Sequence, residues 1–245
     1  RMEEPAMIDK TYLESVCAAQ SLPFSPELSE KLDQYAQLLV EWNEKMNLTA
    51  ITEPNDIAVK HFADSLLLLN ALDIPKNASL IDVGTGAGFP SVPVGLARPD
   101  LKVTLLDSLQ KRITFLETLC AQLSLPAVCV HGRAEEMGRQ AAFRERFDVA
   151  TARAVANLRE LAEYCLPFVK VGGTFAALKG YDIEEELEEA AYAISHLGGQ
   201  VTAVKKYRLR EDASRAIILI KKVRPVSAKY PRISAKIKKE PLIAR

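Results

Sequence analysis

The sequence lacks any long hydrophobic run: no apolar stretch approaches the roughly 18 residues that a membrane-spanning helix needs. It has only four cysteines, and they are scattered, with no CxxC pair and no histidine-rich partner segment. This spacing argues against a disulfide framework and a metal site, and it favours reduced thiols in a cytoplasmic protein. No charged segment followed by an apolar core begins the sequence, so we expect neither secretion nor membrane association.

The chain has no net charge, because 32 Lys and Arg balance 32 Asp and Glu, but its charges are unevenly distributed. From residue 221 onward nine basic residues face one acid, Glu240, whereas the segment after Gly180 is acidic. A basic segment on a neutral protein is typical of a polyanion partner such as nucleic acid. A solvated terminus without a partner has the same composition, so both interpretations stay open.

The order of helical and strand patterns divides the chain of 245 residues into three expected parts. Residues 1–78 have helical periodicity, and Ser25-Pro26 opens one helix as N-cap and first helical residue. Strand and helix patterns alternate over residues 79–222, and residues 223–245 form a basic C-terminal tail. We therefore expect a core with a helical N-terminal extension, in a monomer.

Alternation of strands and helices after residue 78 predicts an α/β fold: a doubly wound, mostly parallel, seven-stranded sheet with helices on both faces. The predicted strands are 79–83, 102–107, 127–131, 148–152, 174–179, 200–204 and 216–220. The predicted helices are 90–97, 111–123, 158–169 and 184–197. Residues 205–215 show no helical apolar face, so we predict a hairpin-like return and an antiparallel final strand.

Three closely spaced glycines, Gly84, Gly86 and Gly88, follow the first predicted strand. Ligands of open parallel sheets bind at the carboxyl ends of the strands, and glycine allows the backbone to approach a ligand closely. Asp107, followed by Ser108, ends the next strand, where a carboxylate can hydrogen-bond ribose hydroxyls. The pattern predicts a nucleotide-type cofactor.

The spacing of the glycines favours S-adenosylmethionine over a dinucleotide. The dinucleotide pattern G-x-G-x-x-G requires a third glycine where this chain has Phe89. Asp82 suits a sulfonium and an ammonium group better than a pyrophosphate. Ala134 and Glu135 follow the third strand and could present a backbone N–H and a carboxylate to an adenine. A dinucleotide, a purely structural turn, and a helix-dipole role for Glu135 remain alternatives.

The fourth strand ends at Arg153, and several motifs that methyltransferases place there are missing. The sequence has no Asn/Asp-Pro-Pro-aromatic turn for exocyclic amines, no Pro-Cys turn for pyrimidine carbons, and no recognisable Lys-Asp-Lys-Glu set for hydroxyls. An acceptor that needs no deprotonation remains, such as guanine N7, for which catalysis reduces to positioning. Arg153 could hydrogen-bond the acceptor edge of guanine, although a surface salt bridge is the alternative.

Two further residues are candidates for positioning the substrate. His61 belongs to a polar cluster on a helix that leads into the cofactor strand, where it could form a wall or lid. Lys179 ends the fifth strand and could contact phosphate or substrate. An ordinary polar helix face and an ordinary strand-end turn are the respective alternatives.

Seven segments, in order, carry a resemblance to a known family. They are Asn47-Leu48-Thr49, His61-Phe62-Ala63-Asp64-Ser65-Leu66, residues 82–90, Lys111-Arg112-Ile113-Thr114-Phe115-Leu116, Arg133-Ala134-Glu135, Ala152-Arg153-Ala154-Val155 and Lys229-Tyr230-Pro231-Arg232. Together they resemble the bacterial glucose-inhibited division protein B family, the small-subunit ribosomal RNA guanine-N7 methyltransferases. The match spans nearly the whole chain, and Ser91, where glycine is common, is a mild departure.

The resemblance implies a Rossmann-like class I S-adenosylmethionine-dependent methyltransferase. It implies cofactor contacts at Gly84, Phe89, Ala134, Glu135 and Arg153, and an RNA loop of 16S rRNA, free or in the small ribosomal subunit, as substrate. RNA loops expose base edges that paired A-form helices hide. Two alternatives are a methyltransferase for a small molecule or protein, and a noncatalytic RNA-binding protein with this fold.

Overall fold

The computed structural model describes residues 6–153 and 156–245, so Ala154 and Val155 of the segment after the fourth strand lie outside the described residues. The strands are β1 (Ser79–Val83), β2 (Lys102–Asp107), β3 (Val128–His131), β4 (Phe147–Ala152), β5 (Val169–Lys179), β6 (Gly199–Arg210) and β7 (Ala213–Lys222). The helices are α1 (Lys10–Ala19), α2 (Pro26–Asn43), α3 (Pro54–Asp56), α4 (Asp64–Ala71), α5 (Ser91–Ala97), α6 (Gln110–Gln122), α7 (Ala134–Met137), α8 (Leu158–Cys165), α9 (Glu184–His196) and α10 (Ser234–Lys239). A π-helical segment, Ile57–Ala63, joins α3 to α4.

The predicted start of α2 is confirmed, because the Ser25 hydroxyl accepts the Leu28 N–H at 3.0 Å and Pro26 is the first helical residue. The buried face of α2 packs on α5, α6 and the turn after β1: Tyr35 is fully buried and its hydroxyl donates to the Ala87 carbonyl at 2.5 Å. The N-terminal helices thus share a core with one face of the sheet. The division into three parts stays a prediction.

Within the described residues the seven strands form one mixed sheet in the order β3-β2-β1-β4-β5-β7-β6. The strands from β3 to β5 pair in parallel, and β7 runs antiparallel to both β5 and β6, which confirms the predicted antiparallel final strand. The direction in which successive strands are added to the sheet reverses between β1 and β4. The connections that leave these two strands therefore run in opposite directions at the carboxyl edge of the sheet. Such a switch point is where this kind of sheet binds ligands.

The largest errors in the predicted boundaries fall in two regions of the chain. Residues 205–215 are not a connection: β6 continues to Arg210 and β7 begins at Ala213, so only a tight turn separates them. Charged side chains on the exposed outer strand hid the strand pattern. The helix predicted over 158–169 ends at Cys165, passes through the short 3-10 turn Leu166–Phe168, and gives way to β5. Pro167 has no N–H for a helical hydrogen bond and disfavours helical backbone in the residue before it.

Within the described part of the chain, none of the helices is both long and apolar enough to cross a bilayer. The residues after β7 return to the core: Val226, Tyr230 and Ile237 are all buried. They pack on the side of the sheet that carries α8 and α9, next to the carboxyl edge. The basic tail is thus a packed part of the structure.

Candidate active site

The glycine turn lies at the carboxyl end of β1 and opens into a cleft. Gly84 and Gly86 have φ values of +67° and +59°, which favour glycine, and a Cβ built on either would meet no atom within 4 Å. Gly88 is different, because its Cβ would stand 2.6 Å from the Tyr35 hydroxyl of α2. The first two glycines therefore leave an open cradle, and the third allows the turn to pack against the N-terminal helices.

Asp107, at the carboxyl end of β2, faces the same turn. One carboxylate oxygen accepts the Gly86 N–H at 2.9 Å, and the other accepts the Leu109 N–H at 3.0 Å. Arg112 lies 3.6 Å from the first oxygen. These contacts fix the carboxylate while leaving each oxygen a further lone pair for a ligand hydroxyl.

The cleft above the turn, here called the glycine-turn cleft, contains five of the predicted cofactor residues. Those residues are Gly84, Asp107, Ser108, Ala134 and Glu135. The remaining lining residues are Val83, Leu106, Gly132, Arg133, Ala156, Leu161, Tyr164 and Ser234. The carboxyl ends of β1, β2 and β3 thus converge as expected, joined by residues from α8 and from the C-terminal tail.

Asp82 does not line this cleft. Its side chain is fully buried and accepts the Ser91 N–H at 3.1 Å, at the start of α5, while its other carboxylate oxygen has no hydrogen-bond partner. Burial raises its pKa to about 7. From the sequence we expect this carboxylate beside the ligand, whereas the structure places it beneath the turn, where it ties β1 to α5.

Arg153 organises a second group of polar side chains at the end of β4. Its Nη1 donates to the Lys60 carbonyl and to Asp64 Oδ2, both at 3.0 Å, and its Nη2 contacts His61 Nδ1 at 2.9 Å. Arg215 of β7 bonds the same carboxylate of Asp64 through Nε and Nη2, at 2.7 and 3.0 Å. One carboxylate from the N-terminal helices therefore joins arginines from two strands.

His61 is neutral and points one nitrogen at Arg153. Because a guanidinium only donates, Nδ1 must accept, so the ring proton lies on Nε2, which contacts Thr49 Oγ1 at 2.8 Å. Burial and the charge of Arg153 lower the pKa of His61 to about 3. The imidazole therefore orients the arginine rather than exchanging protons with a substrate.

An aromatic stack links this group to the glycine turn. Phe89, which follows the turn, lies between Tyr35 and His61, with ring centroids 5.1 and 4.2 Å away and nearly parallel planes. The Arg153 guanidinium lies 5.0 Å from the Phe89 ring centroid. The π-helical segment contributes to this arrangement, since it presents both the Lys60 carbonyl and the His61 ring to Arg153.

Lys179 does not contact Arg153 or His61. Its buried ammonium donates to the Ala156 carbonyl at 2.8 Å and lies 3.2 Å from a Glu186 carboxylate oxygen. It therefore holds the chain that leaves β4 against β5 and α9. The structure therefore brings Arg153 and His61 together, whereas Lys179 lies apart from them and binds Ala156 and Glu186.

A second cleft, here called the arginine cleft, opens beside Arg153. Its lining residues are Ile51, Lys60, Asp64, Arg153, Leu209, Asp212, Ala213, Ser214 and Arg215. Sequence reasoning missed Arg215 because the predicted final strand began one residue after it. It also missed Tyr164 and Ser234, whose only signals are their polarity within a helix and a basic tail.

Comparison with solved structures identifies the class of fold. The chain matches a branched-chain polyamine synthase variant of Thermus thermophilus with a TM-score of 0.59 and 13% identity, covering 86% of this chain and 70% of that one. It matches the YcgJ protein of Bacillus subtilis with a TM-score of 0.53 and 13% identity, covering 68% and 100%. At such identity these matches show the fold alone, a Rossmann-like α/β fold built on an open, mostly parallel sheet.

Sequence relatives identify the family. Residues 28–217 match the family described as rRNA small subunit methyltransferase G. Proteins named ribosomal RNA small subunit methyltransferase G are similar throughout: one from Alkaliphilus oremlandii is 50% identical over 86% of this chain and 90% of its own. One from Clostridium botulinum is 46% identical over 94% and 97%. The chain belongs to the rRNA small subunit methyltransferase G family, whose members are S-adenosylmethionine-dependent enzymes, and this confirms the resemblance found in the sequence.

Proposed function

We propose that the protein transfers the methyl group of S-adenosylmethionine to N7 of a guanine in 16S rRNA, acting in the cytoplasm as a monomer. We choose N7 because the side chains around Arg153 are poor proton acceptors. Among the described residues of the arginine cleft, the carboxylates are Asp64 and Asp212, and both are ion-paired with arginines. His61 is neutral with its pKa lowered to about 3. Guanine N7 suits such a site, because its lone pair reacts without deprotonation.

The residues of the glycine-turn cleft fit the cofactor. S-Adenosylmethionine supplies an electrophilic methyl group on a sulfonium. A Cβ on Gly84 or Gly86 would project into open space, so glycine at these positions keeps room for a ligand beside the turn. Asp107 presents prepared acceptors for hydroxyls, and the largely buried carboxylate of Glu135 is an acceptor for an amine.

Arg153 is suited to hold the guanine. Its three hydrogen bonds to Lys60, Asp64 and His61 leave further N–H groups of the five in a guanidinium. Guanine O6 accepts such donors in the same plane as N7. A fixed arginine can therefore orient the base while N7 stays unprotonated, and rate acceleration then comes from alignment and exclusion of water.

The charges near the clefts support an RNA substrate. Lys236, Lys238 and Lys239 are exposed on α10, beside the tail residue Ser234 that lines the glycine-turn cleft. Phosphate contacts by lysines release counterions, so binding should weaken steeply as salt rises. The experiment below compares free RNA with the small ribosomal subunit as the methyl acceptor.

Transfer of tritiated methyl groups tests the proposal. The acceptors are a 16S rRNA transcript, the same transcript with 7-deazaguanosine in place of guanosine, small ribosomal subunits that lack the modification, and lysate protein. We expect label in guanosine-containing RNA or subunits and none in the 7-deaza transcript, which has a C–H at that position. Borohydride reduction followed by aniline should cleave the labelled RNA at the modified guanine, because N7-methylation makes the base cationic and labile.

Substitution of Arg153 provides a matched comparison. Arg153→Lys keeps the charge but removes the planar fork, so we expect transfer to fall about 30- to 100-fold, equivalent to about 2–3 kcal/mol. Arg98→Lys is the control, since Arg98 bonds Asp100 and the Ile74 carbonyl and lines neither cleft. Label that resists borohydride and aniline, or that also enters the 7-deaza transcript, would overturn N7 as the acceptor. Label confined to protein would overturn the RNA substrate.

A further inference from the structure

Side-chain hydrogen bonds hold part of the C-terminal tail against the core. This part, residues 226–239, is here called the C-terminal strap. Two arginines from the region after α7 hold its first half. Arg139 donates to the carbonyls of Ala228, Lys229 and Pro231 at 2.8–3.2 Å. Arg144 donates to the carbonyls of Val226, Ser227 and Tyr230 at 2.7–3.2 Å. Six consecutive carbonyls outside regular secondary structure are thereby satisfied by two side chains.

A buried ion pair fixes the strap to α8. Glu163 is almost fully buried, and its carboxylate accepts the backbone N–H of Arg232 at 2.8 Å as well as guanidinium hydrogen bonds at 2.8–3.3 Å. Without the strap this carboxylate would lose its partners while remaining buried, which is costly. The position of α8 therefore depends on the strap.

The next residue of α8, Tyr164, carries this connection into the glycine-turn cleft. Its hydroxyl lies 2.9 Å from the Ser234 hydroxyl, and both residues line the cleft together with Glu135 and Asp107. Each hydroxyl can donate and accept, so after bonding to one another the pair still offers a donor and acceptors. The cleft wall contributed by the strap is thus polar and matched to hydroxyl or amine groups.

We propose that the C-terminal strap is part of the cofactor-binding site, with Tyr164 and Ser234 as ligand-contacting residues for the nucleoside portion of S-adenosylmethionine. This inference rests on the proposed assignment of the glycine-turn cleft to the cofactor. Its consequence is reciprocal: the strap raises affinity for the ligand, and the bound ligand stabilises the strap.

Calorimetric titration with S-adenosylhomocysteine tests the two contacts. Tyr164→Phe and Ser234→Ala each remove one hydroxyl, and we expect the Kd to rise about 5-fold for either, the equivalent of one neutral hydrogen bond. Arg144→Met removes three of the six hydrogen bonds that hold the first half of the strap and should raise the Kd more than 10-fold. Tyr207→Phe is the matched control, because its hydroxyl bonds Asn70 at 2.8 Å and lies in neither cleft.

Limited proteolysis of the unmodified chain gives a readout that does not depend on how the variants fold. Trypsin cleaves after Lys236, Lys238 and Lys239 of α10, and saturating S-adenosylhomocysteine should slow these cuts at least 5-fold, with cleavage after Lys31 of α2 as the internal reference. Unchanged cleavage of the strap, with wild-type affinity in Tyr164→Phe and Ser234→Ala, would overturn the inference. If the unmodified protein binds no S-adenosylhomocysteine at millimolar concentration, the proposed function itself fails.

Discussion

Two buried titratable groups near Arg153 should give opposite pH dependences of stability, which single substitutions would separate. Burial raises the pKa of Asp82 from 3.8 to about 7, so between these values the folded chain holds a proton that the unfolded chain releases. Stability from this group is complete below about pH 4 and is lost as the pH rises towards 7. Burial and Arg153 lower the pKa of His61 from 6.5 to about 3. Its contribution is complete above about pH 6.5 and is lost as the pH falls towards 3.

The magnitude follows from the linkage relation. One proton of difference between folded and unfolded states changes stability by about 1.4 kcal/mol per pH unit. Between pH 4.5 and 6.0 each group should therefore contribute about 2 kcal/mol, with opposite signs. Tyr35 and Cys165, which interact with Asp82, have pKa values raised well above their ordinary ranges by burial and do not titrate in this window. The two contributions should nearly cancel in the wild-type chain.

Urea denaturation at four pH values from 4.5 to 6.0, followed by fluorescence of the single tryptophan, Trp42, provides the assay. Relative to wild type, Asp82→Asn should gain about 2 kcal/mol of unfolding free energy across the range, and His61→Gln should lose about as much. The double variant should again parallel wild type, which cancels the background from other carboxylates. Single variants that both parallel the wild-type slope would refute the reasoning.

Three further expectations concern packing and a buried lysine. Gly88→Ala should destabilise the chain by about 2–4 kcal/mol in urea denaturation, because its φ is +101° and a Cβ would stand 2.6 Å from the Tyr35 hydroxyl. Gly180→Ala, with open space around its Cβ, should change stability by less than about 0.5 kcal/mol. Tyr35→Phe should cost about 1–3 kcal/mol by leaving the Ala87 carbonyl without its buried donor. Burial lowers the pKa of Lys222 from 10.5 to about 8, so wild-type stability should rise between pH 8 and 10 as the unfolded chain alone keeps the proton, and Lys222→Met should abolish that rise.

The parts of the fold that follow from buried apolar runs were predictable from the sequence. The predicted limits of β1 and β2 agree with the structure, because neither is an edge strand and each contributes three buried aliphatic side chains to the core. The outer strand β6 was cut short because exposure allows lysine and arginine on it. Pairing partners, rather than local hydrophobicity, decide where such a strand ends.

The candidate site was predictable only where its residues follow strands. Gly84, Asp107 and Glu135 meet because parallel strands end at one edge. Burial of Asp82 could not be read from the sequence, since an acid before a glycine turn can face either the ligand or the helix behind it. Ser234 lies 70 positions from Tyr164, and no local pattern records that distant contact.

One side chain, Phe89, places the glycine turn in contact with the residues around Arg153, and under the proposed function this contact bears on how the two substrates are aligned. Phe89 belongs to the glycine turn, yet its ring lies against His61 and under the guanidinium of Arg153. His61 in turn accepts from Arg153, and Asp64 holds the same arginine from the adjoining helix. Because the rings are closely packed, a displacement of the turn would shift Phe89 and, with it, His61 and the guanidinium of Arg153. In-line transfer requires close alignment of both partners, so under the proposed function the N-terminal helices would form part of the framework that aligns them.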